Sequence, residues 1–456
     1  MPGTTLTHKS VRPEKKLNRY LIKATGVGAL GGLLFGFDTA VIAGTTQQLT
    51  SIFHLTPFTL GVTVAVALAG TVIGAMCSGV LGQKIGGRES LRIMAILYTI
   101  SAIGCAFAWS WDALLVFRFI GGLGIGGCSV LGPVYIAELA PPKWRGRMVG
   151  LFQINIVSGI LLAYLSNYII SSMHLGEHQW RWEFGVAIVP SMLFLLLLFG
   201  IPRSSRWLVT SNRTDEAREV LELMGSPDSE AELREIMDSI HMERGMKDEP
   251  LFNGKYRLPI FLAISLGLLN QLSGINAILY YSNQIFASAG FSSLSGALQT
   301  VLVGLVNLFA TLLGMSLVDK LGRKTLLLIG SVGMTVSLAG VAEIFFSQSH
   351  QNLLVWLLMS FILFFAISQG SVIWVYLAEI FPTRVRAKGQ SLGSSSHWIM
   401  NAILAFGFPL VAKRSGGMPF AFFAVMMAVQ FFLVLFVFPE TKGVSLEELQ
   451  RRMGID

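Results

Sequence analysis

The chain is short of charge. Only 13% of its 456 residues are Asp, Glu, Lys or Arg, about half the share carried by a soluble domain of ordinary composition. Its three cysteines, Cys77, Cys105 and Cys128, all fall inside apolar stretches, which leaves neither a disulfide framework nor a metal-ligand spacing. No G-x-x-x-x-G-K-[ST] run, H-E-x-x-H pair or nucleophilic triad is found. These absences give no support to an ATP-driven machine, an enzyme, a metal site or a cofactor. Met1 to Tyr20 is polar and basic and lacks a compact apolar segment followed by a cleavage site, so no removable signal peptide is expected.

What is present is apolar. Hydrophobic residues make up 53% of the chain, and a spanning helix needs roughly 20 of them in near succession. Twelve such stretches can be counted, at about 20–44, 58–83, 91–109, 113–139, 146–172, 182–201, 258–288, 295–317, 325–347, 352–379, 387–412 and 418–438. The expected fold is an all-α membrane protein with twelve transmembrane helices. Spans of this length, joined by short polar turns, exclude a β-barrel.

The net charge of +8 reads as orientation in a bilayer rather than as affinity for nucleic acid. Lys9, Arg12, Lys15, Lys16 and Arg19 precede the first span. Lys84, Arg88 and Arg92 follow the second, and Lys143, Arg145 and Arg147 the fourth. Lys320, Arg323 and Lys324 follow the eighth, and Arg384, Arg386 and Lys388 the tenth. The opposite loops carry mainly Arg181, Lys413 and Arg414. Basic loops stay on the cytoplasmic side, beside the anionic leaflet, so both termini are expected in the cytoplasm.

The longest polar interruption, 203–257, divides the spans six and six. It predicts amphipathic helices at 215–224 and 228–244. The expected organisation is a tail at 1–19, a six-helix bundle at 20–202, the helical linker at 203–257, a second bundle at 258–438 and a tail at 439–456. The halves also echo each other. Gly86-Gly87-Arg88 matches Gly322-Arg323-Lys324, Ala137-Glu138 with Arg145 matches Ala378-Glu379 with Arg386, and Pro202 with Arg206 matches Pro439 with Lys442. Two parallel repeats of this kind place a substrate site near the midplane, between halves that rock.

Ionisable residues deep in a span cost about 2.5–3.5 kcal/mol on insertion scales and tend to be functional. Asp38 in span one and Arg118 in span four stand out. Each needs an opposite partner, and an Asp–Arg pair that loses its attraction on protonation has the parts for proton coupling. A static bridge is the competing reading. Glu343 lies near a span end and is expected to snorkel. Glu138 with Arg145, and Glu379 with Arg386, together with Arg88 and Arg323, are expected to latch a cytoplasmic gate.

Uncharged polar residues also collect in the spans: Gln153, Asn270, Gln271, Asn276, Asn307, Gln369, Trp374, His397, Trp398 and Asn401. Amides both donate and accept hydrogen bonds, which suits a ligand covered in hydroxyls, and indole faces suit the apolar side of a sugar ring. For a single amide such as Asn307 or Asn401, an interhelical hydrogen bond is the alternative. Gly122-Leu123-Gly124-Ile125-Gly126-Gly127 satisfies G-x-G-x-x-G, but inside a span its glycines point to close helix packing, not to a dinucleotide.

Taken in order, these motifs resemble the sugar porter family of the major facilitator superfamily. They comprise Gly31 to Gly44 around Asp38, Arg118 to Gly126, Tyr135 to Pro141 with Arg145, Gln271 to Tyr281, Val318 to Lys324, Ala378 to Pro382 with Arg386, and Pro439 to Gly443. The resemblance runs from about Tyr20 to Glu448. It implies that Asp38 is the protonation site and Arg118 its partner, and that the chain is a symporter in the plasma membrane. It further implies that Gln153, Asn270, Gln271, Asn276, Asn307, Trp374, Trp398 and Asn401 line the sugar site, with Phe35 and Tyr280 as aromatic neighbours.

The chain departs from the family pattern at Gln83 and Gly87, where an acid and an arginine are usual, at Arg203, where an acid is lost, and at Asn270 and Ser371. His397 stands where relatives carry an amide; sugar contact is the expectation there, and a second pH-sensitive group the alternative. Ile160 and Gln271-Leu272-Ser273 lean towards a glucose-like hexose, with xylose or galactose still open. The expected partners are a monosaccharide, H⁺ and the lipid bilayer, and the expected state is a monomer. A facilitative uniporter with a structural Asp38 is the alternative within the fold. A sugar sensor would need a signalling extension, which Val444 to Asp456 is not expected to supply.

Overall fold

The computed structural model describes residues 18–141, 143–245, 249–382, 384–444 and 446–455. Lys9, Arg12, Lys15 and Lys16, expected to orient the N-terminus, lie outside the described residues. Among those described, all regular structure is helical, and twelve segments are long and apolar enough to cross a membrane.

The first five spans are single helices: α1 (Arg19–Ile52), α2 (Pro57–Ile85), α3 (Gly87–Ala106), α4 (Trp111–Leu139) and α5 (Arg145–Ser172). Their starts follow local chemistry. Asn18 Oδ1 accepts from Leu21 N at 2.8 Å, satisfying one of the orphan donors of α1. Thr56, just before Pro57, and Thr59 form a reciprocal capping box at the start of α2. The sixth span is broken into α6 (Gln179–Gly185) and α7 (Ile188–Leu197).

The linker holds three helices, α8 (Ser205–Thr210), α9 (Thr214–Leu223) and α10 (Ser229–Gly245). The last two fall where the amphipathic pattern places them, and α8 is additional. The seventh span is also broken, into α11 (Arg257–Leu272) and α12 (Ile275–Ser288) around Gly274, whose φ of 84° is left-handed. There follow α13 (Ser293–Leu321) and α14 (Arg323–Ser347). The tenth span breaks into α15 (Leu354–Ile367) and α16 (Gln369–Glu379) at Ser368, with φ −112° and ψ −95°. Then come α17 (Arg386–Arg414), α18 (Met418–Phe436) and a short terminal α19 (Leu446–Arg452).

The repeat visible in the sequence reappears as geometry. Gly86 and Gly322 both take φ 91° between consecutive spans, a conformation that glycine reaches without steric cost. Tyr135 Oη donates to Pro202 O at 2.7 Å, and Tyr376 Oη donates to Pro439 O at 3.0 Å. The glycine run of α4 lies against α2. A Cβ at Gly122 would collide with Ala67 O, and one at Gly126 with Thr71 O. Backbone-to-backbone contact is what small residues provide in lipid, where no hydrophobic force drives helices together.

One face of the molecule carries the linker, and Asn18 Nδ2 ties the start of α1 to it through Leu223 O at 2.8 Å. At the opposite, far face the two halves are closed on each other. Gly61 of α2 lies directly under Phe406 O of α17, and the Phe58 and Phe406 rings meet edge-on at 5.3 Å. Tyr164 Oη of α5 donates to Leu279 O of α12 at 2.9 Å.

Candidate functional site

Asp38 and Arg118 face the same cavity, which Phe35, Thr39, Thr71, Tyr280 and Trp398 help to line. Residues far apart in sequence meet here because α1 packs on α12 and α2 on α17, with α4 behind α1 and α2. The direct ion pair expected between Asp38 and Arg118 is not formed. Arg118 is 4% exposed, donates from Nε to Thr63 O at 3.1 Å and lies over the Phe184 ring at 5.6 Å. A carbonyl and an aromatic face thus occupy the guanidinium, while half-buried Asp38 remains open to the cavity.

The amides of the seventh span form one network. Gln271 Nε2 donates to Asn270 Oδ1 at 3.1 Å and lies 3.3 and 3.2 Å from the Nδ1 and Nε2 atoms of His397. Asn276 Nδ2 donates to Gln271 Oε1 at 3.1 Å. The break at Gly274 makes this possible, because it folds Asn276 back beside Gln271 although five positions separate them. Asn401 Nδ2 donates to Tyr280 Oη at 3.0 Å, while its Oδ1 is buried without a partner.

Aromatic walls complete the chamber. Trp374, at 40% the most exposed of this group, stands 5.3 Å from the His397 ring. Trp398 is 5.0 Å from His397 and 5.5 Å from Phe35, edge-on. Gln153 on α5 is half-buried and Asn307 on α13 is buried, and neither side chain hydrogen-bonds to another described residue. Gln369 does not join this set. Its Nε2 donates to Gln430 Oε1, and Gln430 donates to Ser331 Oγ at 2.9 Å, so it belongs to an interhelical network of α14, α16 and α18.

The linker-face cluster differs from the pairing expected. Glu379 is held by Arg323, from Nε at 3.1 Å and Nη2 at 2.8 Å, and by Thr441 Oγ1 at 2.6 Å. Arg386 donates instead to Phe381 O at 3.3 Å. Glu138 faces Ser204 and Arg206; Arg145 is exposed at the first turn of α5, turned away by the bend at Pro141. Arg88 bonds Glu89 at 2.5 Å and Ile201 O at 3.0 Å.

The acid missing at Arg203 is replaced from the other partner. Glu440 accepts from the backbone N–H of Arg323 and of Lys324, both at 3.0 Å. In the first half the carboxylate sits on the helix itself, as Glu89 in the first turn of α3, and receives Arg203 Nε at 3.2 Å. Both arrangements put negative charge at a helix N-terminus, where the macrodipole favours it.

One buried acid was not expected from the sequence. Glu183 of α6 is fully buried; its Oε1 accepts from Gln179 Nε2 at 2.8 Å and its Oε2 has no partner. Its position just inside the sixth apolar stretch is the signal that marks it. Glu343 is exposed, as expected of a snorkelling group. Among the described residues no group of three or more His, Cys, Asp and Glu side chains converges as a metal site.

The profile of the family described as "Sugar (and other) transporter" matches residues 24–453. The chain is 34% identical over 470 residues to the D-xylose-proton symporter of Escherichia coli strain K12, covering 94% of this chain and 95% of the relative. It is also 34% identical over 455 residues to the glucose transport protein of Synechocystis, covering 94% and 97%. Among solved structures, the inward open conformation of the E. coli xylose transporter XylE superposes with a TM-score of 0.85 at 33% identity, covering 95% of this chain and 100% of that one.

Proposed function

The chain belongs to the sugar transporter family, a family of multi-pass membrane transporters, and from that premise we propose that it imports a monosaccharide together with a proton. The observation that carries this reading is the shared cavity of Asp38, Arg118, Phe35, Tyr280 and Trp398. A carboxylate able to take up a proton shares a cavity with Tyr280 and Trp398, which adjoin the amides and His397 that suit a carbohydrate. Occupancy of one site therefore alters the surroundings of the other, which is the requirement for coupling.

The relatives named for xylose and glucose support a monosaccharide. For this chain the proposed substrate is a glucose-like hexose. Ile160 is buried where a polar side chain would favour a different sugar, and a hydroxyl missing its partner is the strongest discriminator such a site has. Arg118 is the positively charged residue at the chamber, which disfavours an anionic substrate as the principal cargo. The bundles 20–202 and 258–438 rock about the cavity, the protein acts as a monomer in a bacterial inner membrane, and the linker face with both termini is cytoplasmic.

The test is uptake of labelled D-glucose and D-xylose by proteoliposomes with and without an inward proton gradient. Accumulation above the external concentration, dependent on the gradient, is expected. Uptake that never exceeds equilibrium would leave a uniporter.

A further inference from the structure

Gln271 has spent both of its amide protons. One is given to Asn270 Oδ1 at 3.1 Å, and the other is directed at the His397 ring, whose nitrogens lie at 3.2 and 3.3 Å. With both ring nitrogens at nearly the same distance, the amide N–H lies against the imidazole face rather than on one in-plane lone pair, a contact that a neutral ring favours and an imidazolium opposes. Gln271 Oε1 accepts from Asn276 at 3.1 Å and keeps a second lone pair. A ligand therefore meets Gln271 as an acceptor.

We propose that His397 is a positioning residue, which holds the Gln271 amide with its carbonyl offered to the substrate, so that a proton on His397 competes with sugar. The proposal rests on the sugar reading and specifies how that same site is regulated. An imidazolium carries two N–H groups and no acceptor. It would face the Gln271 Nε2 donor with another donor. Turning the Gln271 amide over relieves that contact but sets Oε1 against Asn270 Oδ1 and Nε2 against Asn276 Nδ2. Three amides must reorient together, or their bonds are lost; networks of this kind respond as a unit.

Few charges screen the effect. α17 packs against α2, α11, α12, α16 and α18. The charged residues of α17 are Arg386, Lys388, Lys413 and Arg414 at its ends; α11 offers Arg257 in its first turn, α2 Lys84 in its last, and α16 Glu379 as its final residue, while α12 and α18 have none. Of the tyrosines, Tyr280 is bonded to Asn401, Tyr281 to Ala405 O and Tyr376 to Pro439 O. Cys77 of α2 is exposed on the outer surface. Asp38 of α1 lines the cavity that Trp398, the ring neighbour of His397, also lines, and must be removed from the measurement.

The sign follows from linkage. Sugar binds the form with His397 neutral, so the apparent Kd rises as pH falls through the histidine titration, by up to about tenfold per pH unit. The experiment uses the full chain in detergent, carrying Asp38→Asn, with D-glucose and D-xylose titrated by calorimetry from about pH 3 to pH 8, a range that extends well past the interval of about pH 5 to 8 in which an unperturbed histidine changes charge. The expected result is affinity that weakens on acidification, and a flatter profile once His397→Gln is added. Without sugar, acidification is expected to quench indole fluorescence from Trp374 and Trp398 in the first variant and not in the second.

Binding that is independent of pH in the Asp38→Asn protein, or an unchanged slope after His397→Gln, overturns the role of His397 and leaves the sugar reading intact. Failure of either sugar to bind the unaltered chain at any pH overturns the sugar reading, and this proposal with it.

Discussion

Arg323 clasps Glu379 through two bonds, Nε to Oε2 at 3.1 Å and Nη2 to Oε1 at 2.8 Å, whereas Glu138, the counterpart of Glu379, faces Ser204 and Arg206, because the position matching Arg323 is Gly87. Asp319, which pairs with Arg323 at 3.1 Å, is matched by Gln83. The two repeats are therefore latched unequally at the linker face. Arg323→Ala is expected to remove about 2–3 kcal/mol, the scale of charge-assisted hydrogen bonds, and to lower the thermal midpoint in detergent. Gln83→Asp with Gly87→Arg should build a second clasp on Glu138. A Cβ at Gly87 meets only Tyr135 carbons at 3.6 and 3.7 Å, so there is room. The double variant should melt later than the parent and transport more slowly; an unchanged midpoint would mean that Glu138 is not a latch.

Asp38→Asn keeps the size of the side chain and removes its ability to exchange a proton. Gradient-driven accumulation in proteoliposomes should fall to equilibrium, while counterflow, which needs only alternating access, persists. Accumulation equal to that of the parent would take Asp38 out of the coupling mechanism.

Gln271 joins three other side chains and offers an acceptor to the ligand. Gln271→Ala should remove its one sugar bond, at about 1 kcal/mol, and unsettle the amides that remain. The expected rise in Kd is roughly fivefold to thirtyfold, read by calorimetry at pH 8 or by counterflow. Equal affinity would place the sugar elsewhere.

Far-face closure depends on Gly61, where any Cβ collides with Phe406 O. Gly61→Leu should wedge α2 from α17, hold the far face open and cut net uptake at least tenfold, on the order of 1.4 kcal/mol of altered equilibrium. Faster alkylation of a cysteine placed at Phe58, in a Cys77→Ser background, would report the opening. A labelling rate equal to that of the same cysteine beside native Gly61 would argue that closure is made elsewhere.

Asp38 and Arg118 are legible in the sequence because a charge inside an apolar run is anomalous whatever the fold. The spans are legible for the same reason: lipid demands length and apolarity from each segment separately. The pairings are not. Glu138 and Arg145 are close in sequence, yet the turn at Pro141 parts them, and Glu379 goes to Arg323 rather than Arg386. Gln271 and Gln369 look alike as amides in apolar runs. One lies in the chamber and the other is bonded to Gln430, and no local pattern separates them.

The sequence alone determined twelve spans, a duplicated half, an acid set within a span and a reservoir of neutral hydrogen-bonding groups, because each of these is a property of one segment in its solvent. Tertiary structure decided the broken helices at Gly274 and Ser368, the fold-back of Asn276 onto Gln271, the contact of Gln271 with His397 and the separation of Asp38 from Arg118. Those depend on which helix faces which, and hydrogen bonds of about 3 Å are set by distances that composition and periodicity do not encode.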